Sequence, residues 1–142
     1  MKLNRKALLV MTALSAALLM SGCGQTKIGY FDSERVAKEA PQIVSLQDEG
    51  KQKLQEAQQE VMTQIDGADS EENAQKVVQE GQRKMESIQR NYANQMTTKL
   101  QSTLAEIAKE KELDAVMENA NIQKSVVQGG IDVTDEVINK LQ

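Results

Sequence analysis

The sequence has no histidine and no tryptophan, and only one phenylalanine, one proline and one cysteine in 142 residues. Without histidine, the chain lacks the side chain best suited to acid–base catalysis near neutral pH and the commonest metal ligand. Aromatic residues make up 2% of the chain, although aromatic and branched aliphatic side chains supply most of the area of a packed core. We therefore expect no compact single-chain globule. A composition rich in Ala, Gln, Glu, Lys and Met favours long helices instead.

Residues 1–22 have the parts of a bacterial signal peptide in the usual order. Three cations, Lys2, Arg5 and Lys6, precede an uncharged and mostly apolar run at 7–20, which is too short to span a bilayer as a helix. The next residues, Met20-Ser21-Gly22-Cys23, resemble a lipobox, which implies cleavage before Cys23 and lipid attachment to it. An ordinary secretory leader followed by an unmodified thiol is the alternative. We expect a lipidated tether at 23–26 on the periplasmic side of the envelope. Gly24, where an Asp would resemble an inner-membrane retention signal, favours the outer membrane over the inner membrane.

Charge is unevenly distributed along the predicted mature chain. Removing the leader takes away three of the 17 basic residues and none of the 21 acidic ones, which changes the net charge from −4 to −7. An acidic chain argues against nucleic-acid binding, which depends on neutralising phosphates. Residues 56–82 carry seven acids and one lysine, whereas residues 83–99 carry four cations and one acid. We expect binding partners of acidic or mixed charge to be attracted to the second stretch.

The hydrophobic pattern predicts two long helices. A short strand at 27–31 is followed by a helix at 33–40, capped by Asp32 or Ser33, and Pro41 suits the first turn of a new helix. From residue 42 to 65, and again from 71 to 111, apolar or small residues recur at spacings of three, four and four, an eleven-residue period. The stretch 66–70, rich in Asp and Gly, predicts a turn, and Asp69 or Ser70 is expected to cap the second long helix. Two long helices joined by so short a turn form an antiparallel hairpin.

The C-terminal tail has a different pattern. Residues 113–118 and 122–127 read as strands, with a turn at 119–121, and residues 131–133 lead to Thr134 as the cap of a last helix. Three short strands and one short helix bury too little apolar area to be stable alone. We therefore predict an α+β fold, mostly α, in which a long antiparallel helical hairpin, a coiled-coil arm at 42–111, stands on a small β-body at 27–41 and 112–142. Partner copies would complete the body. A trimer is expected, but the residues do not fix the number of copies.

Both ends of this predicted domain, 27–142, resemble a known family. The segment 27–36 followed by Pro41, the segment 113–118, and the segment 131–138 are similar to the opening, the return strand and the closing strand-to-helix segment of the Skp (OmpH-like) periplasmic chaperones. The resemblance implies a trimer with a β-barrel body and three helical arms around a cavity that binds unfolded outer-membrane proteins without ATP. The chain departs from that family by being acidic, by its lipoprotein leader and by somewhat shorter arms.

Two groups of candidate residues follow. Side chains on or beside the apolar stripes and cations of the 83–99 stretch are candidates for contact with a client. They are Met62, Ile65, Val77 and Val78 among the apolar residues, and Arg83, Lys84 and Arg90 among the cations. For the apolar residues, packing between the two helices is the alternative. Met85 and Met96 lie on the main period and fit packing between the helices better. Candidates for the core of the oligomeric body are Ile28, Tyr30, Phe31, Val116 and Val126.

The expected function is an ATP-independent holdase for unfolded outer-membrane or other exported proteins. The alternative is a structural coiled-coil lipoprotein that acts as a scaffold or tether in the envelope. No pair of groups in the sequence suggests a catalytic dyad, a phosphate-binding loop or a calcium loop. We therefore expect no enzyme activity, no cofactor and no metal.

Overall fold

The computed structural model describes residues 26–119 and 129–142. In chain order these residues form strand β1 (Ile28–Phe31), helix α1 (Ser33–Glu39), helix α2 (Pro41–Asp66), helix α3 (Glu71–Glu110), strand β2 (Ala115–Glu118), strand β3 (Ile131–Asp132) and helix α4 (Thr134–Lys140). The described chain is mostly helical, with one small sheet and one very long helix. Cys23, Val126 and the strand predicted at 122–127 lie outside the described residues.

The first three helices begin where local signals in the sequence place them. Asp32 caps α1 by accepting a hydrogen bond from the Arg35 backbone N–H at 3.0 Å. Helix α2 begins at Pro41, whose missing N–H is not needed in the first turn. Ser70 caps α3 by accepting a hydrogen bond from the Asn73 backbone N–H at 3.3 Å. The helix starts therefore follow from side chains adjacent in sequence.

The sheet is parallel, with β1 at its centre in the order β2-β1-β3. On one side Gly29 is in register with Val116, and on the other side it is in register with Ile131. The residue pattern of 131–133 predicts only a lead into the last helix, whereas the family resemblance implies a strand before that helix; the first two of these residues pair with β1. Pairing on both sides satisfies the backbone of β1, which would otherwise present a free edge.

Helix α4 begins one residue earlier than predicted. Val133, not Thr134, occupies the position before the helix, and Thr134 is its first residue. The Thr134 hydroxyl accepts a hydrogen bond from the Asp32 backbone N–H at 3.0 Å and donates one to Asp132 Oδ1 at 2.6 Å. Because these contacts use the hydroxyl, it links the end of β1 to the start of α4 instead of capping α4.

The main core lies where the sheet and the two short helices meet the N-terminal end of α2 and the C-terminal end of α3. Its buried side chains are Phe31, Val36, Ala40, Ile43, Ile107, Val133, Val137 and Leu141. Two backbone segments far apart in sequence close it, since the Gln42 N–H donates to the Leu141 carbonyl at 2.9 Å. The core therefore reaches into the 42–111 range that the sequence assigned to the arm.

Candidate functional site

Helices α2 and α3 form the most extensive contact between elements of the described chain, here called the seam. In the seam, Val61 meets Gly81 and Gly50 meets Tyr92. From the first contact to the second, the position moves 11 residues towards the N-terminus in α2, from Val61 to Gly50, and 11 residues towards the C-terminus in α3, from Gly81 to Tyr92. This step equals the eleven-residue period of the sequence.

Each of these two contacts sets a glycine against a larger side chain. A Cβ on Gly81 would overlap the Val61 side chain, and a Cβ on Gly50 would lie 3.2 Å from Tyr92 Cγ. The glycine is on α3 in the first contact and on α2 in the second. Gly81 thus allows a close approach of the helices that a larger residue would disturb, whereas a larger residue at Gly50 would require Tyr92 to shift slightly.

The apolar client-contact candidates differ in how far the described chain covers them. Met62 is 61% exposed and Val78 is 37% exposed, whereas Ile65 and Val77 are half-buried. Met62 and Val78 lie one position away from the apolar stripe, which explains why they point away from the seam. The structure thus leaves two apolar side chains near the turn end of the helices free to contact a partner.

The basic candidates are partly paired with acids. Lys84 forms an ion pair with Glu60 across the seam, and Arg90 forms one with Glu86 one turn earlier in α3. Arg83 is exposed and lines a shallow polar depression together with Arg90. Because exposed ion pairs are worth only about 0–1 kcal/mol, a charged partner can compete for these cations.

An apolar groove along the seam is a feature that sequence reasoning missed. It encloses about 320 Å³, and its lining residues are Leu46, Gln47, Gly50, Lys51, Leu54, Ile88, Gln89, Tyr92, Ala93 and Met96. The groove lies where Gly50 contributes no side chain and the half-buried Tyr92 and Met96 remain partly accessible. The sequence signal for the groove was Gly50 on the apolar stripe, but a glycine at such a position indicates only a small residue in the packing of the helices.

One face of the small sheet is incompletely covered in the single chain, and we call it the open sheet face. Along β1 the burial alternates, with Gly29 and Phe31 buried and Ile28 and Tyr30 half-buried. Tyr30 is in register with Met117, which is 50% exposed. Of the predicted body-core residues, Phe31 thus lies in the main core, Val116 packs against that core, and Ile28 and Tyr30 lie on the open sheet face.

Ion pairs join the helices of the body at its surface. Arg35 contacts Glu39 Oε2 at 2.8 Å and Asp135 Oδ1 at 2.9 Å, and its hydrogen bonds to Glu39 hold the pKa of that carboxyl below its usual value. Lys140 contacts Glu106 Oε1 at 2.8 Å, which lowers the pKa of Glu106 and raises that of Lys140. The Arg35–Asp135 and Lys140–Glu106 ion pairs thus link α1 and α3 to α4 at the surface, in addition to the packing of the core.

The described residues show neither a helix with the length and hydropathy to cross a membrane nor a group of three acidic, cysteine or histidine side chains placed to hold a metal ion. Comparison with known proteins adds no family. No protein-family model matches the chain, and no curated protein sequence matches it either.

Proposed function

We propose that this chain is a lipid-anchored, ATP-independent holdase that binds unfolded outer-membrane or other exported proteins in the cell envelope. The observation that carries the proposal is the pair of long helices with accessible apolar side chains along and beside the seam. Met62, Val78 and the groove between Gly50 and Tyr92 offer small, separate apolar contacts. Contacts of this kind suit weak, multivalent binding of many sequences, because none of them selects a single partner shape.

In this proposal α2 and α3 form an antiparallel hairpin that projects from the body as an arm. The seam supports it, because its contacts keep one register from Gly50 to Val61. The connection between the helices is short, since α2 ends at Asp66 and α3 begins at Glu71.

The body is proposed to be completed by two further copies of the chain. The open sheet face supports this, because Tyr30 and its neighbour Met117 would otherwise leave apolar area in water.

Sedimentation equilibrium should give a mass near three chains. Tyr30→Asp should lower that mass, because it places a charge on the open sheet face, while Asn139→Asp, at an exposed position of α4, should not. A folded wild-type monomer would contradict the trimer.

The holdase activity is tested by light scattering. An outer-membrane β-barrel protein is diluted from urea with and without the mature protein, in the absence of ATP. We expect suppression by the wild type and weaker suppression by Met62→Gln/Val78→Gln at unchanged helical content. The matched control, Thr63→Gln/Gln79→Ala, changes neighbouring exposed positions and should behave like the wild type. Aggregation at the uncatalysed rate with wild-type protein would refute the holdase and favour the scaffold alternative.

Membrane attachment is proposed to depend on a lipid at Cys23. Cys23→Ala should move the protein from the membrane fraction to the soluble fraction of cells. If the variant stays with the membrane, the lipid is not what holds the protein there.

A further inference from the structure

The contacts of Lys27 fix the point at which the N-terminal segment leaves the fold. The Lys27 N–H donates to Asp114 Oδ2 at 2.8 Å, and the Asp114 N–H donates to the Lys27 carbonyl at 2.8 Å. The Lys27 ammonium also lies 3.2 Å from Glu112 Oε2. Both acids follow directly after α3, which ends at Glu110. The N-terminal segment therefore leaves the fold at the C-terminal end of α3.

The connection between α2 and α3 lies at the opposite end of the same helix. Helix α3 has 40 residues, and at about 1.5 Å per residue it is about 60 Å long. We call the connection with its flanking residues, 66–72, the tip. We call the end formed by Lys27, residues 109–114, Glu136 and Lys140 the pole. The tip and the exit of the N-terminal segment are thus separated by the full length of α3.

Charge differs sharply between the two ends. The pole has four lysines and four acids, and ion pairs join Lys27 to Glu112, Lys111 to Glu136, and Lys140 to Glu110. The tip has four acids, Asp66, Asp69, Glu71 and Glu72, and no cation. An anionic lipid surface attracts basic segments and, by the same Coulomb interaction, repels acidic ones. Near an anionic bilayer, the neutral pole is therefore favoured over the tip.

We propose that the lipidated protein stands on an anionic membrane surface by its pole, with the tip directed away from the bilayer. The proposal rests on the lipid at Cys23 proposed above. Lys27 is four residues beyond Cys23, so even a fully extended tether spans at most about 14 Å. The tether is therefore much shorter than α3, and the pole stays close to the headgroups. The acids of the tip oppose the alternative in which the long helices lie flat on the membrane.

The orientation can be measured on the full lipidated protein in vesicles of phosphatidylethanolamine and phosphatidylglycerol that contain headgroup nitroxide lipids. With Cys23 occupied by lipid, a single added cysteine can carry a fluorophore: Asn139→Cys next to Lys140 of the pole, Asn94→Cys midway along α3, or Gln64→Cys near the tip. All three side chains are exposed and uncharged. We expect strong quenching at 139, little at 94 and none at 64.

Each other result overturns the orientation. Equal quenching at 64 and 139 would show that the long helices lie on the surface, and no quenching at any site would show that the pole is held away from it. Protein that remains in solution would remove the anchor, and the orientation with it. The light-scattering test is made without the membrane, so it reports on the holdase separately.

A charge reversal at the tip tests the electrostatic step. Asp66→Lys/Glu71→Lys/Glu72→Lys replaces three of the four exposed acids of the tip and changes its net charge from −4 to +2, and the matched control Asp66→Asn/Glu71→Gln/Glu72→Gln removes the same three charges without reversing them. The fluorophore at 64 should become quenched in the lysine variant on anionic vesicles but not on phosphatidylcholine vesicles, and it should stay unquenched in the matched control. An unquenched lysine variant would show that charge does not keep the tip away.

Discussion

Gly81→Ala is the sharpest test of the seam, because two effects of known size oppose each other at this position. Gly81 is in the interior of α3, where replacing glycine by alanine normally stabilises a helix by about 1 kcal/mol. In the seam, however, the new Cβ would overlap the Val61 side chain. Overpacking of this kind typically costs about 1–3 kcal/mol. We therefore expect the variant to range from unchanged to about 2 kcal/mol less stable, in place of the usual gain.

A double-mutant cycle separates these two effects. Val61→Ala alone should destabilise the protein by roughly 1 kcal/mol, because a half-buried valine loses two methyl groups. In the Gly81→Ala background the same change should cost nothing or be stabilising, because it removes the overlap. The expected coupling is about 1–3 kcal/mol in favour of the double variant.

Urea unfolding followed by helical circular dichroism measures all four proteins at one concentration, since association would make stability depend on concentration. Gly67→Ala is the matched control. Its new Cβ would have only ordinary van der Waals neighbours, the nearest being the Thr63 carbonyl oxygen at 3.5 Å, so the variant should be as stable as the wild type or slightly more stable. If Gly81→Ala stabilises the protein as an ordinary helical substitution does, or if Val61→Ala fails to rescue it, the close contact in the seam is wrong.

Three further substitutions or conditions test the body. Thr134→Val should cost about 1–3 kcal/mol in urea unfolding, because the Asp32 N–H loses its hydrogen-bond acceptor, whereas Thr134→Ser keeps the hydroxyl and should cost less. Glu112→Gly should raise the melting temperature although it removes an exposed ion pair, because Glu112 has a φ of 54°, and this left-handed conformation costs about 1–2 kcal/mol outside glycine; a lower melting temperature would contradict this. The pKa of Glu39 and that of Glu106 are lowered in the folded state, so the stability from their ion pairs should be present above the ordinary pKa of about 4.5 and be lost as the pH falls below it. Acid titration of the urea midpoint checks this, and Arg35→Met should remove the part of the dependence that comes from Glu39 while leaving the part from Glu106.

Sequence reasoning succeeded where structure depends on neighbouring residues. Asp32 and Ser70 each cap a helix through an amide three residues away, and Pro41 needs only its own ring to favour a first turn. The eleven-residue period likewise needs no knowledge of the partner helix, since it records which face of each helix is apolar. For these features the cause lies within one or two helical turns, so it can be read from a single stretch of sequence.

Sequence reasoning failed where the cause of a structural feature lies in residues far apart in the chain. Ile131–Asp132 is a strand because β1, about 100 residues earlier, supplies a pairing edge, and a two-residue segment has no periodicity of its own. Thr134 enters the helix because its hydroxyl is used by Asp32. The groove could not be anticipated either, because it depends on Gly50 lying opposite Tyr92 across the seam.

The three aromatic residues show how a chain so poor in aromatics divides its packing. Phe31 lies in the main core, and Tyr92 lies in the seam opposite Gly50. The third, Tyr30, lies on the open sheet face beside the exposed Met117, where the single chain leaves it half-covered. Phe31 and Tyr92 therefore pack within one chain, whereas Tyr30 would gain apolar contacts if another surface covered it. A second copy offers the same face with the same apolar residues. For this reason the position of Tyr30 supports assembly through the sheet more strongly than the scarcity of aromatics does.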